Sequence, residues 1–212
     1  MAKVAQGWKS AFVRFTEWFS RLAYLNFLWI GFTIAGLVIF GFIPATVAMF
    51  AVLRKWQKGN LNEPVLQTFW SFYRKEFVKS NIVGIVLGII GYILYLDVFI
   101  LNLDESLPMQ IVQLLLYILA FVYLLMMAFF FPVYVHFEMK WYQYLKMAAL
   151  MVFAAPLQAI LMLMIGYGIF FLMAKMPILM LFLLGSLIGY VWLLIALPTF
   201  NRFEQRNSSN GK

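Results

Sequence analysis

The chain has 212 residues, of which 65% are hydrophobic and 11% are charged, and it carries a formal net charge of +8 without a single cysteine. So little charge cannot cover the surface of a soluble domain of this length, and the lack of cysteine excludes disulfides and thiolate chemistry. No nucleic-acid-binding motif accompanies the basic residues, so the charge indicates the Lys and Arg excess of cytoplasmic loops and no nucleic-acid partner.

The first predicted element is an amphipathic helix over residues 8–24. Aromatic and aliphatic residues recur at helical spacing on one side, while polar and basic residues occupy much of the other. This pattern is typical of a helix that lies on the surface of an anionic leaflet. A secretory signal fits poorly, because the apolar core begins late, runs far too long and lacks a clear small-residue cleavage site.

Five long apolar stretches follow, and each is predicted to cross the membrane as a helix. About 20 apolar residues span a hydrocarbon core of ~30 Å, where only a helix satisfies its own backbone hydrogen bonds. The first stretch is interrupted at Gly41 and Pro44, and the fourth is bent near Pro156. The predicted spans are 25–53, 81–101, 109–131, 147–173 and 178–197.

The segments between the spans are polar. Segment 54–79 is basic, and its second half, from Pro64, is predicted to be another interfacial helix. Segment 135–146 is a short polar bend, and we expect the last six residues of the polar tail 201–212 to be disordered. The sequence therefore predicts an all-α, polytopic membrane bundle with one domain over residues 1–200, about five transmembrane segments and two interfacial helices.

The basic residues also predict the orientation of the chain. Segments 54–79 and 135–146 and the C-terminal tail carry six, two and three Lys or Arg residues, whereas the connector 102–108 carries none. The positive-inside rule therefore places loop 54–79 and the C-terminus in the cytoplasm. Five crossings would put the basic N-terminal segment outside, against its own charge. Either that segment is external, or 25–53 bends at Gly41–Pro44 and returns to the side it left.

Short runs in and after the first stretch resemble a known family. They are Asn26-Phe-Leu-Trp29, Gly41-Phe-Ile-Pro-Ala-Thr-Val-Ala48 and Val52-Leu-Arg-Lys-Trp56, followed by Phe69, Tyr73, Glu76-Phe77 and Asn81. Over about residues 20–90 the chain resembles the YesL-like (DUF624) bacterial membrane proteins. One departure is Ile43, where much of the family has glycine before the proline. The motif residues are Trp29, Gly41, Pro44, Ala45, Thr46, Arg54 and Lys55.

The resemblance implies no reaction, since the family has no established one. Its genes commonly lie beside those for sugar-uptake ABC transporters and polysaccharide breakdown in Gram-positive bacteria, which implies an accessory role near carbohydrate import. The expected function is a non-catalytic accessory protein, without a cofactor, that associates with the permeases of an oligosaccharide ABC importer in a bacterial plasma membrane. The alternative is a stand-alone small transporter or channel.

Polar residues in or near the spans are weak functional candidates. Asp97 is a carboxylate near the end of a span, where ionisable groups often mark function. His136 and Glu138 could relay a proton, but no other histidine is present to complete a zinc site, so no metal is expected. Gln113 and Gln158 lie within spans and are expected to hydrogen-bond between helices.

Two further sets of residues predict contacts of the chain. Paired glycines four residues apart allow helices to approach closely, within this chain or against another subunit, and they are Gly84 with Gly88 and Gly185 with Gly189. Basic residues that flank the first span are expected to contact anionic lipid, and they are Lys9, Arg21, Arg54, Lys55 and Lys58.

Overall fold

The structure is a computed structural model that describes the backbone of residues 2–99 and 106–210, and the side chains of residues 13–99 and 106–205. Within these residues the chain forms seven α-helices and no strand. Five of them, α2, α3, α4, α6 and α7, are long and apolar enough to cross a membrane. The predicted fold class is therefore confirmed. The helices are α1 (Ala2–Ala35), α2 (Ile39–Gln57), α3 (Val65–Phe99), α4 (Leu107–His136), α5 (Trp141–Ala154), α6 (Pro156–Ala174) and α7 (Pro177–Asn210).

Helix α2 is the centre of the bundle. In its most apolar stretch 67% of the residues are buried, against 28% for α4, 22% for α6 and α7, and 17% for α3. Helices α1, α3, α4 and α7 pack around α2, and Leu53, Phe69, Phe129 and Phe200 are among the side chains fully enclosed there. The outer helices turn much of their apolar surface outward, which is the arrangement expected in a bilayer.

The interval 25–53, predicted as one stretch bent at Gly41–Pro44, contains two antiparallel helices. Helix α1 ends at Ala35, and α2 begins at Ile39 after a three-residue turn. The predicted interfacial helix 8–24 is not a separate element, because it forms part of α1. Helix α2 has 19 residues and a length of about 28 Å, so this arm of the hairpin is close to the thickness of the hydrocarbon core.

The hairpin returns the chain to the end from which it started. Trp18 of α1 packs on Trp56 of α2, with ring centroids 6.2 Å apart. Arg21 Nη1 donates a hydrogen bond of 2.7 Å to the carbonyl oxygen of Leu61, in the connector after α2. The basic start of the chain and the basic segment 54–79 therefore lie at the same end of the bundle, which removes the conflict between their charges.

The chain does not turn at Pro44, which lies inside α2. A proline has no backbone N–H, so the carbonyl oxygen of Phe40, four residues earlier, loses its helical donor. Asn81 Nδ2 on α3 donates to that oxygen at 2.9 Å. The side chain of Asn81 thus replaces the missing backbone donor, and α2 continues through the proline.

The turn lies instead at residues 36–38, where the two helices are in backbone contact. A Cβ atom on Gly41 would overlap the carbonyl oxygen of Thr33 and the Cα of Gly36, so only glycine fits. Val38 has φ 64° and ψ −64°, and Ile39 N donates to Leu37 O at 2.8 Å. This is a γ-turn with positive φ, a conformation that is strained for a β-branched residue.

We expect Val38→Gly to stabilise the protein by about 1 kcal/mol, because glycine adopts a positive φ without the steric cost that valine carries. The Val38 side chain is 56% exposed, so little packing is lost. Thermal unfolding in mild detergent measures the change. The matched control is the neighbouring Ile39→Gly, at an exposed position with ordinary φ, which should destabilise the protein. Equal destabilisation by both variants would contradict a strained turn.

Two other predicted boundaries differ because long helices absorb neighbouring segments. The interfacial helix predicted from Pro64 and the span 81–101 are one helix, α3, since no proline separates them. The third span, predicted to end at 131, continues through Pro132 to His136. Residues 100–101 lie outside the described part of the chain.

The fourth and fifth predicted spans are also altered. The interval 147–173 is divided at Ala155 into α5 and α6, and Pro156 takes the first position of α6, where its missing N–H has no helical partner to lose. The interval 178–197 continues as α7 through the predicted tail as far as Asn210. This extension is held in part by Phe200, which is completely buried. Residues 211–212 are not described.

The four paired glycines have different surroundings. Gly84 lies against the side chain of Ile43, the residue that departs from the family pattern, and Gly185 lies against Asn26 and Trp29. Gly189 contacts Leu53, Phe50 and Met49, whereas Gly88 has nothing within 4 Å of its missing side chain. Three of these glycines therefore serve contacts within the chain, and Gly88 leaves an open place on the surface of α3.

Candidate functional site

The motif residues in the first half of α2 hold the hairpin together. Trp29 Nε1 on α1 donates to Thr46 Oγ1 on α2 at 3.0 Å, and Thr46 Oγ1 donates to Phe42 O at 2.7 Å. Ala45 is completely buried, and Gly41 makes the close backbone contact at the turn. These residues therefore serve the packing of α1 against α2.

The motif residues at the end of α2 have a different position. Arg54 Nη2 donates to His136 O at the end of α4 at 3.0 Å, and Lys55 forms an ion pair with Glu63 in the connector. The Nε atom of Arg54 is buried without a hydrogen-bond partner in the described residues. Both side chains lie on the wall of a large cavity, which is the candidate functional site.

We call this cavity the basic cleft. It has a volume of about 680 Å³ and lies between the end of α2, the first half of α3, the end of α4 and the start of α5. Six basic side chains and two carboxylates line it, a surplus of four positive charges, together with Asn60, Gln143 and several apolar or aromatic residues. The charged residues are Arg54, Lys55, Lys58, Lys75, Lys79 and Lys140, with Glu76 and Glu138.

A stacked pair of tyrosines forms one wall of the basic cleft. The rings of Tyr134 and Tyr144 are 4.3 Å apart and nearly parallel, and both residues are buried. Lys79 Nζ donates to Tyr144 Oη at 3.1 Å and lies above both rings. Tyr134 Oη donates to Glu76 Oε2 at 2.9 Å. The ammonium group of Lys79 is thus positioned by aromatic contacts and not by a carboxylate.

Most of the positive charge in the basic cleft is not neutralised by the chain. Of the basic residues that line the cleft, only Lys55 forms an ion pair within the described part of the chain, with Glu63 in the connector after α2. Lys58 and Lys75 are exposed at the cleft and have no carboxylate within 4.0 Å in that part of the chain. Since a concave surface concentrates the field of its charges, the cleft attracts anions.

We expect Tyr134→Phe to destabilise the protein by about 1.5 kcal/mol, because the ring stays while the hydrogen bond to the charged Glu76 is lost. The free energy of unfolding, measured in mixed micelles, tests this value. Tyr167→Phe is the matched control, since the Tyr167 side chain is 70% exposed and should tolerate the change. An unchanged stability for Tyr134→Phe would mean that this bond does not hold the wall of the cleft.

Four of the weak functional candidates lie in different surroundings in the structure. Glu138 lines the basic cleft, whereas His136 faces α7 and its Nε2 lies 3.1 Å from a carboxylate oxygen of Glu204. Gln158 lines a second, smaller cavity of about 110 Å³. Asp97 is half-buried near the far end of α3. His136 and Glu138 therefore do not form a proton relay with each other in this arrangement.

Several of the residues expected to bind lipid or neighbouring helices make contacts within the chain. Arg21, Arg54 and Lys55 bind groups within the chain, while Lys58 is exposed. Lys9 lies outside the residues whose side chains are described. Gln113 donates to Tyr117 one turn away on α4, so this bond lies within one helix.

The basic cleft is a feature that the sequence patterns did not reveal as a single site. Four residues of the cleft were not candidates, and they are Lys75, Lys79, Tyr134 and Tyr144. The lysines lie 55 or more residues before the tyrosines, and all four look like ordinary interfacial residues. The sequence did contain a signal for this site, because segments 54–79 and 135–146, which supply most of its residues, were expected at the same end of the bundle. Lys75 and Lys79 are also one helical turn apart on α3.

Comparison with known proteins places the chain among bacterial relatives. It is 40% identical over 193 residues to the uncharacterized protein YteU of Bacillus subtilis (strain 168), a match that covers 91% of this chain and 86% of YteU. It is 35% identical to the uncharacterized protein YesL of the same organism, over 91% of this chain and 90% of YesL. For the uncharacterized protein YesV, also from that organism, the identity is 32%, over 90% of this chain and 92% of YesV. No solved structure matches the chain.

A family model described as "Protein of unknown function, DUF624" matches residues 22–98. This range covers most of the α1–α2 hairpin and nearly all of α3, including two walls of the basic cleft. The relatives are matched along most of their own length at 32 to 40% identity. The chain therefore belongs to the DUF624 family.

Proposed function

We propose that the chain is a non-catalytic accessory subunit that attaches to the permease subunits of an oligosaccharide ABC importer in a bacterial plasma membrane. The observation that supports attachment is the broad apolar surface of α3, where only 17% of the most apolar stretch is buried within the chain. The family resemblance supplies the link to carbohydrate import. The lack of a catalytic motif in the sequence supports a non-catalytic role.

We place the surface for this attachment on the second half of α3. Ile85, Ile89 and Tyr92 are exposed there. Gly88 lies among them, and a Cβ atom added to it would meet no other part of the chain within 4 Å. A small residue in an apolar helix face allows the backbone of another helix to approach closely. This face therefore suits a transmembrane helix of a partner subunit.

Affinity purification from native membranes in mild detergent tests the attachment, with Gly88→Leu as the informative variant. The new side chain enters open space, so the chain itself should fold, while a partner helix packed at Gly88 would be displaced. We expect ABC permease subunits to copurify with the unchanged chain and to be lost with Gly88→Leu. Gly31→Leu is the control, since Gly31 on α1 also faces open space. Recovery of the unchanged chain alone would overturn the proposal.

We also place the end of the bundle with the basic cleft in the cytoplasm, because most of the basic residues gather there. The chain has no cysteine, so single cysteines report accessibility without further changes. Gln6→Cys and Asn60→Cys should react with a membrane-impermeant thiol reagent only from the cytoplasmic face. Met176→Cys, in the turn between α6 and α7, should react only from the outside. The reverse pattern would contradict this orientation.

A second candidate function is a small transporter, and the basic cleft is the observation that favours it. A charged cavity that opens at one end of a bundle resembles a vestibule for an anionic solute. Flux of a labelled anion into liposomes that contain only this chain would support transport. Copurification with permeases, without such flux, would support the accessory role.

A further inference from the structure

We propose that the basic cleft is a binding site for a phosphate ester, either a soluble phosphorylated solute or the headgroup of an anionic phospholipid. This site does not depend on the accessory role, since it concerns a ligand and not a protein partner. Three properties of the cleft lead to it, namely the pairing of its charges, its size and its fixed aromatic wall.

The charges of the basic cleft are placed where an anion would stabilise them. Lys75 and Lys79 lie one turn apart on α3, and like charges at this spacing repel each other. Lys58 adds a third ammonium group from the end of α2. Lysine binds phosphate as a point charge with several donors, and a phosphate group between these side chains would offset their repulsion.

The size of the basic cleft fits a small ligand. Its volume of about 680 Å³ lies within the range of roughly 300–1,000 Å³ that small-molecule sites occupy. The cavity is recessed between four helices, so it cannot fit a flat protein surface. Asn60 and Gln143 also line the cleft. Gln143 Oε1 accepts a hydrogen bond from Lys140 N at 3.0 Å, so its amide NH₂ group, like that of Asn60, can donate to the hydroxyl or ester oxygens of a phosphate ester.

The wall of the basic cleft is arranged before any ligand binds. Lys79 is held by the hydroxyl group of Tyr144 and lies above the stacked rings of Tyr134 and Tyr144. Glu76 accepts a hydrogen bond from Tyr134, which turns one of the two carboxylates toward the wall. Little ordering is therefore required on binding, which favours affinity.

Glycerol 3-phosphate is a suitable probe, because it is soluble and contains the phosphate ester that phospholipids also carry. The full chain is reconstituted in phosphatidylcholine nanodiscs, and the probe is titrated by calorimetry. A second series uses nanodiscs that contain phosphatidylglycerol and measures the rise in unfolding temperature. We expect saturable binding or lipid-dependent stabilisation that weakens as salt screens the charges.

The decisive variant is Lys75→Gln, since Lys75 is exposed and makes no ion pair in the described residues, so its loss should not disturb folding. We expect it to weaken binding about tenfold, as expected for one charge-assisted contact. Lys146→Gln is the control, because it removes an exposed charge from α5 outside the cleft. If Lys75→Gln weakens the binding of glycerol 3-phosphate, the ligand is a soluble phosphate ester. If it reduces only the rise in unfolding temperature caused by phosphatidylglycerol, the ligand is a lipid headgroup. Equal behaviour of both variants in both series overturns the proposal.

Discussion

Gly41→Ala is expected to lower the free energy of unfolding by about 3 kcal/mol, the upper part of the usual range for overpacking. The added methyl group would overlap the carbonyl oxygen of Thr33 and the Cα of Gly36. Both are backbone atoms, one in α1 and one in the turn that follows it, so no side-chain rotation relieves the overlap. The α1–α2 hairpin would have to separate at its turn, where Tyr73 Oη also bonds to Phe32 O at 3.1 Å.

The size of this effect is measured by unfolding in mixed micelles, together with the fraction of monodisperse protein on gel filtration. Gly31→Ala is the matched control, since a methyl group there meets nothing within 4 Å and alanine favours the helix. It should leave the stability unchanged or raise it slightly. If both variants were equally stable, the helices would not approach as closely at Gly41 as the structure describes.

Asn26→Asp is expected to destabilise the protein by about 3–5 kcal/mol at neutral pH, because it buries a charge without a partner. Asn26 is only 1% exposed and joins α1 to α7. Its Nδ2 donates to Leu181 O at 2.7 Å, and its Oδ1 accepts from Ser186 N at 3.1 Å. The carboxylate keeps the acceptor but replaces the donor with an oxygen that faces the Leu181 carbonyl.

The control for this prediction is Asn60→Asp, which makes the same chemical change at an exposed position beside Lys55 and Lys58. We expect it to leave the free energy of unfolding within about 0.5 kcal/mol of the unchanged chain. The two variants carry the same substitution, so a difference in their stability measures the effect of burying the charge. A small effect at Asn26 would show that water reaches the contact between α1 and α7.

The family motif contains both residues that hold helices together and residues that line the basic cleft. Trp29, Gly41 and Thr46 stand out in the sequence, yet in the structure they hold two helices together. Arg54 and Lys55 belong to the same motif and lie on the wall of the basic cleft. The motif alone cannot distinguish packing residues from residues of a binding site, because both roles require a particular residue type at a particular position.

The sequence alone determined that the chain is helical and built for a bilayer, because long apolar stretches have no other way to satisfy their backbone groups in lipid. It also predicted that segments 54–79 and 135–146 and the C-terminal tail share one end, while the side of the basic N-terminal segment stayed open. Only the tertiary structure decided that the chain turns at residues 36–38 and not at Pro44, since the donor that rescues Phe40 O is Asn81, 41 residues away. It likewise decided that Lys79 meets Tyr134 and Tyr144, because contacts between distant segments depend on packing that no local pattern records.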